Sequence, residues 1–202
     1  MSDYSKANKH TISFYNKFSF FYPFIDVFLR PQKRILFNEI NKLPYGNVLE
    51  IGVGNGSNLS FYKKHDITGI DTSQKMLDAA KKIAGEKAVL LLMNGELLGF
   101  QDHSFDYVVL SHVLAVAGNP ESILEEAYRV LKPGGRIFIL NHFTPDNWLK
   151  YLDYSFQPVS KAFRFRSLFY LHRLETLKKF ILLSETRVGA LSYFKLLIYR
   201  KA

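Results

Sequence analysis

The stretch Val48 to Gly56, V-L-E-I-G-V-G-N-G, limits what this chain can fold into more than any other. Val48, Leu49 and Ile51 have the character of a short buried strand, whereas Gly52, Gly54 and Gly56 are poor strand formers and open a turn. A strand therefore runs straight into a glycine loop. Glycines at alternate positions let the backbone take positive φ angles and let a ligand lie against bare main chain. Asn58 to Lys64 offers the start of a helix whose N–H groups point back at the same place. Further on, Asp66 to Asp71, D-I-T-G-I-D, is a second short strand that ends in a carboxylate. In doubly wound α/β sheets an acid at that strand tip grips the two hydroxyls of a ribose. The two features together predict a nucleoside ligand.

Dinucleotide enzymes share this layout, but their fingerprint is G-x-G-x-x-G, with the third glycine opening a helix beneath a pyrophosphate. Here Ser57 stands at that place and the spacing is G-x-G-x-G. Nothing reserves room for phosphates.

Downstream, strand and helix patterns alternate. Thr72 and Ser73 can cap a helix from Gln74 to about Ala84, with Met76, Leu77, Ala80 and Ile83 as its apolar stripe. Val89 to Met93 is the third strand, and Tyr107 to Leu110 is the fourth, leading to Ser111 and His112. A helix from Pro120 to Leu131 stops at Lys132-Pro133-Gly134-Gly135, which turns into a fifth strand from Ile137 to Asn141. This alternation implies a parallel sheet with right-handed crossovers and a ligand at the strands' C-terminal ends. Phe180 to Val188 and Leu191 to Tyr199 read as two further strands joined at Gly189-Ala190. Before the core, residues 4–30 read as one or two amphipathic helices broken near Pro23, followed by a helix from about Gln32 to Asn41. Residues 143–170 are aromatic, basic and weakly periodic, and read as a helical insertion over the active face. The chain is one domain: a helical lid and membrane segment over 1–45, a core over 46–142, the insertion over 143–170, and a helix and hairpin over 171–202.

Composition narrows the partners. Cysteine is absent, so neither disulfides nor thiolate metal sites form, and no metal is expected. No signal peptide precedes the core, and the apolar run Phe18 to Ile25 is far shorter than the roughly 20 residues that cross a bilayer. The net charge of +9 is unevenly placed, +4 over residues 1–45, −2 over 46–140 and +7 over 141–202, and the aromatic residues crowd the same two flanks. Rings at headgroup level beside Lys and Arg are how a peripheral membrane surface is built; a solvated basic cap is the plainer alternative.

The combination E-I-G-V-G-N-G, I-D-T-S-Q-K-M-L-D-A-A and V-L-K-P-G-G-R resembles the class I S-adenosylmethionine-dependent methyltransferases. That resemblance implies a Rossmann-like α/β fold, a seven-stranded mostly parallel sheet closed by a C-terminal antiparallel hairpin, with an N-terminal helical lid. It implies S-adenosyl-L-methionine as cofactor. Gly52, Gly54 and Gly56 would form the loop under its methionine part, with Glu50 behind holding backbone amides or a water. Asp71 would accept the ribose hydroxyls beside Thr72, and Met76 would cover one face of the adenine. Asn94, followed by Gly95, stands where the family commonly carries an Asp that accepts the adenine amino group. Ser111 and His112 would flank the reacting sulfonium.

A closer resemblance covers most of residues 12–145. Y-N-K-F-S-F-F-Y-P-F-I-D, then N-V-L-E-I-G-V-G-N-G-S-N-L-S-F-Y, then L-N-H-F after the fifth strand, is similar to the bacterial phospholipid N-methyltransferases that convert phosphatidylethanolamine to phosphatidylcholine. The resemblance implies an amine headgroup as acceptor, an anionic membrane surface as partner, and a cytoplasmic enzyme peripheral to the inner membrane. His142, or His112 in competition with it, would take the proton from the ammonium. Tyr15 and Tyr22 would close over the site and face the amine by cation–π contact, unless they are helix packing, and Arg164 and Arg166 could hold the lipid phosphate. Nucleic acid is disfavoured, because Ser111-His112-Val113-Leu114 stands where base methyltransferases carry N-P-P-Y. A quinone or small-molecule methyltransferase and a non-catalytic membrane-binding protein with such a pocket are the alternatives.

Overall fold

All seven predicted strands form. The computed structural model describes residues 22–144, 148, 151, 154, 168–188 and 194–202, with backbone alone for 22–30. Strands β1 (Asn47–Ile51), β2 (Asp66–Asp71), β3 (Ala88–Leu92), β4 (Phe105–Ser111), β5 (Leu131–His142), β6 (Phe180–Val188) and β7 (Phe194–Lys201) make one sheet in the order β3-β2-β1-β4-β5-β7-β6. The first five run parallel, and β7 lies antiparallel between β5 and β6. The order reverses between β1 and β4. That is the switch point at whose carboxyl ends α/β sheets bind ligands.

Alternation along the strands fills both faces. Ile137 and Ile139 of β5 pack with helix α3 (Pro120–Val130), while Phe138 and Leu140 face the layer of α1 (Tyr22–Asn41) and α2 (Gln74–Ala84). The predicted start and end of α2 hold, with Ser73 Oγ accepting the N–H of Met76 as its cap. Asn119 caps α3 in the same way on Ser122.

Five local readings change. The helix at the chain's start is not broken before Gln32: α1 runs through Pro31, and burial of Leu36, Phe37 and Ile40 offsets the backbone hydrogen bond that proline removes. Asn58 to Lys64 is only a short 3₁₀ turn, Leu59–Phe61, and residues 171–179 form two more, Leu171–Arg173 and Glu175–Lys179, in place of a helix. Ile83 points to solvent at 49% exposure, and Ala84 takes its place in the buried stripe. Lys132-Pro133-Gly134-Gly135 lies within β5, as an irregularity that shifts its register on β4 between Phe105 and Tyr107.

Candidate cofactor and active site

The glycine loop is β1 curling over the tip of its neighbour. The N–H groups of Gly52 and Val53 both donate to the carbonyl of Ile70, at 2.9 Å each. Asp71 then braces the loop from below, Oδ2 accepting the Gly54 N–H and Oδ1 the Ser73 N–H, both at 2.9 Å. Burial pushes this carboxyl's pKa up, and the backbone N–H groups of Ser73, Gly54 and Thr72 pull against that shift. An ionised carboxylate has about four acceptor sites, so these backbone contacts do not exhaust it and it can still accept from a ligand.

Beside it lies a cavity of about 280 Å³, lined by Gly52, Gly54, Asp71, Thr72, Met76, Asn94, Gly95, Ser111 and His112 among others. The three loop glycines do three different things. At Gly54, with φ +56°, an added Cβ would meet nothing within 4 Å, so the bare backbone faces open space. At Gly52, with φ +76°, it would press on Val113 Cγ2 at 2.7 Å. Gly56 does not line the cavity: its Cβ would sit 2.8 Å from Ala80 Cα, so this glycine lets α2 pack against the loop.

Glu50 also lies off the cavity lining. It shares a face of β1 with Val48, turned under α1, where it is fully buried; Oε1 accepts from Asn58 Nδ2 at 2.5 Å and Oε2 from the Tyr62 hydroxyl at 2.9 Å. Its partners are therefore side chains and not loop amides. Burial raises its pKa to about 6, against the lowering pull of Asn58, Tyr62 and the charge of Lys33. Because the folded pKa lies above the ordinary 4.5, the folded state holds the extra proton between those values, and this group's contribution to stability shrinks as pH rises through that window. The loss amounts to about 2 kcal/mol. In Glu50→Gln the amide can donate to Asn58 Oδ1, which is buried and takes no hydrogen bond among the described residues, once the Asn58 amide turns over. Urea unfolding at pH 4.5 and 6.5 is expected to show the wild type losing stability relative to the variant as pH rises; a constant difference between the two would refute a titrating Glu50.

At the tip of β4, Ser111 Oγ is buried with no hydrogen bond among the described residues. His112 follows it in the left-handed region at φ +59°, its N–H held by the Leu140 carbonyl at 2.7 Å and its ring edge-on to Phe194 at 5.4 Å. Strained non-glycine residues of this kind gather at functional sites. His142, at the end of β5, is not on the cavity lining. Asn94 Oδ1 accepts the Glu96 N–H at 3.0 Å, which leaves one acceptor site and the amide N–H groups for a ligand. Tyr15, Arg164 and Arg166 lie outside the described residues, as does the side chain of Tyr22 at the first position of α1.

Two lining residues escape the sequence reading. Lys33 reaches in from α1, 7% exposed, donating to Ser57 Oγ at 2.9 Å. Glu96 is fixed by the Asn119 N–H at 2.7 Å. Packing of α1 brings Lys33 in, whereas Glu96 directly follows Asn94 and Gly95, and that adjacency is the signal for it.

These groups fit S-adenosyl-L-methionine. Asp71 would hold the ribose, Met76 and Ile70 the adenine, the Gly52–Gly54 backbone the methionine part, and the Lys33 ammonium its carboxylate. Comparisons with known proteins agree. Residues 49–139 match the methyltransferase domain family. The chain is 38% identical over 107 residues to phosphatidylethanolamine N-methyltransferase of Cereibacter sphaeroides, covering 50% of this chain and 53% of that one. It is 35% identical over 105 residues to the ubiquinone/menaquinone biosynthesis C-methyltransferase of Desulfotalea psychrophila, covering 50% and 43%. The chain thus spans about half the length of the curated relatives it matches. An S-adenosylmethionine-dependent methyltransferase of known structure from Thermotoga maritima superposes with a TM-score of 0.71 at 21% identity, over 94% of this chain and 99% of that one. Glycine loop, acidic strand tip and sheet order agree with the likeness of residues 49–139 to the methyltransferase domain family, and together they indicate S-adenosyl-L-methionine as the cofactor.

Proposed function

We propose that this domain methylates the amine of a phospholipid headgroup, taking phosphatidylethanolamine towards phosphatidylcholine, as an enzyme peripheral to the inner membrane surface. The likeness to the Cereibacter sphaeroides enzyme, 38% identity over 107 residues, carries this reading. Among the described residues, no helix is long and apolar enough to cross a membrane. Bound S-adenosyl-L-methionine supplies an electrophilic methyl group. The chain's own task is to present a nitrogen whose lone pair is available, although an ethanolamine ammonium is mostly protonated at neutral pH. His112, on the cavity at the tip of β4, takes that proton directly or through water in this reading. Alignment of nitrogen and methyl carbon in the cavity supplies most of the rate, and the base a smaller share.

A quinone C-methyltransferase is the second reading, supported by the likeness to the Desulfotalea psychrophila protein. It needs a carbon nucleophile and no tolerance for a permanent cation. Incubation with labelled cofactor and vesicles containing phosphatidylethanolamine, or with a demethylated quinone, followed by chromatography, separates the two. Label in monomethylated amine lipid is expected; label in the quinone alone sinks the phospholipid reading, and transfer to neither argues for a pocket without catalysis.

A further inference from the structure

Between β5 and β6 the described residues carry three exposed rings, Trp148 at 66%, Tyr151 at 65% and Tyr154 at 46%. Pairwise contacts link them in series to Tyr170 and Arg173. The Tyr151 N–H donates to the Trp148 carbonyl at 3.1 Å, the Tyr151 and Tyr154 ring centroids are 6.5 Å apart, and the Tyr154 and Tyr170 hydroxyls are separated by 3.4 Å. At the far end of this strip the Arg173 guanidinium lies 4.8 Å from the Tyr170 ring centroid, with His172 on the same ring at 5.4 Å.

The base of the strip is fixed. Thr144 donates its N–H to the Phe169 carbonyl at 2.8 Å, Phe169 donates its N–H to Thr144 Oγ1 at 2.9 Å, and the buried Phe143 and Phe169 rings stack at 5.4 Å. This clasp closes just beyond the C-terminal end of β5. The tips of β1, β2 and β4 that line the cofactor cavity are at the same end of the sheet. The strip and the cavity therefore share one end of the molecule.

The chemistry of the strip selects its occupant. The rings it shows among the described residues are tyrosine and tryptophan, so each has an apolar body and a polar tip that must stay wet. That combination suits the headgroup level of a bilayer, where the ring is half desolvated and the hydroxyl or indole N–H still finds water. Arg173, within a stretch of net charge +7 over residues 141–202, complements anionic lipid. We infer that the strip Trp148, Tyr151, Tyr154, Tyr170 and Arg173 is the surface by which this protein rests on an anionic phospholipid bilayer, with the cavity turned towards the headgroups. The orientation rests on the phospholipid reading above; the contact itself does not.

Trp148 is the one tryptophan of the chain, so its fluorescence reports this place alone. Added vesicles of equal parts phosphatidylglycerol and phosphatidylcholine are expected to shift its emission to shorter wavelength, and brominated phosphatidylcholine is expected to quench it. The triple variant Trp148→Ser, Tyr151→Ser, Tyr154→Ser is expected to bind such vesicles roughly tenfold more weakly or worse in sedimentation, with cofactor affinity unchanged. Emission that stays as in water overturns the inference, even where the protein sediments with the vesicles, because the contact then lies elsewhere. A dimer that forms without lipid and already shows the shifted emission assigns the strip to a second copy, and also overturns it. Shifted and quenched emission without methylation of any amine lipid supports the surface while counting against the phospholipid reading. Methylation with unshifted emission does the reverse.

Discussion

Gly56→Ala is expected to lower the melting temperature by roughly 10 °C, a fall of roughly 3 kcal/mol in stability for a domain of this size. Two penalties combine. A β-carbon on a left-handed residue costs about 1–2 kcal/mol, and here φ is +79°. The same carbon would lie 2.8 Å from Ala80 Cα, backbone of α2 that cannot turn aside as a flexible side chain could, which adds about 1–3 kcal/mol of overpacking. Gly54→Ala is the informative contrast, since its φ is +56° but its Cβ would meet nothing within 4 Å. It is expected to cost only about 1 kcal/mol of stability. Yet that methyl would occupy the bare backbone against which the methionine part would lie, and cofactor affinity is expected to fall roughly tenfold or more. Calorimetric melting and cofactor titration of both variants make the test. Equal melting temperatures, or unchanged cofactor affinity in Gly54→Ala, would show that the division of labour within the loop is misassigned.

The core elements were readable because their signals are local. The bounds of β2, Asp66–Asp71, and of α2, Gln74–Ala84, follow from an apolar run, a Ser73 cap and a terminal glycine, and both match the structure to the residue. The parallel order followed from strand and helix alternation. Where tertiary packing outweighs local preference, reading failed. The sequence predicts this helix only from about Gln32, but the helix runs on through Pro31 from Tyr22, and its apolar face of Leu36, Phe37 and Ile40 is buried. Asn58 to Lys64 has a helix-like start, but Asn58 and Tyr62 turn inwards to the Glu50 carboxylate and the segment closes after one 3₁₀ turn.

The site divides along the same line. Gly52, Gly54, Asp71 and Met76 sit in contiguous motifs and line the cavity. Glu50 belongs to the same motif, yet the pleat of β1 turns it to the opposite face, where it ties β1 to Asn58 and Tyr62 beyond the loop. Lys33 enters through a contact 24 residues apart, which no spacing rule contains, whereas Glu96 adjoins Asn94 and Gly95 in sequence. Between the two histidines, register decides: β4 stops at Ser111 and leaves His112 over the cavity, whereas β5 carries His142 onward in its pairing with Phe194 of β7.

Asp71 should give the largest effect on cofactor binding, because one carboxylate serves two structures. Its oxygens accept the Gly54 and Ser73 N–H groups at 2.9 Å, and the remaining acceptor sites face the cavity. Asp71→Ala removes both the ribose anchor and the brace beneath the loop. Two charge-assisted hydrogen bonds of about 1.5 kcal/mol or more each predict a loss of about 3 kcal/mol, or roughly a hundredfold in affinity. Asp71→Asn separates charge from shape. Its amide oxygen still accepts from one backbone N–H, but its amide nitrogen must face the other, donor against donor, so roughly tenfold weakening is expected. The pH dependence follows the same carboxylate. Burial raises its pKa, and only the ionised form accepts from both loop and ribose, so wild-type affinity should fall on acidification at higher pH than an ordinary aspartate would dictate. The Asn variant should lack that component. Titration calorimetry across pH 4.5 to 7.5 decides it: parallel profiles for wild type and Asp71→Asn, or an Ala variant that binds as tightly as the wild type, would place the ribose elsewhere and remove the basis for reading this crevice as the cofactor site.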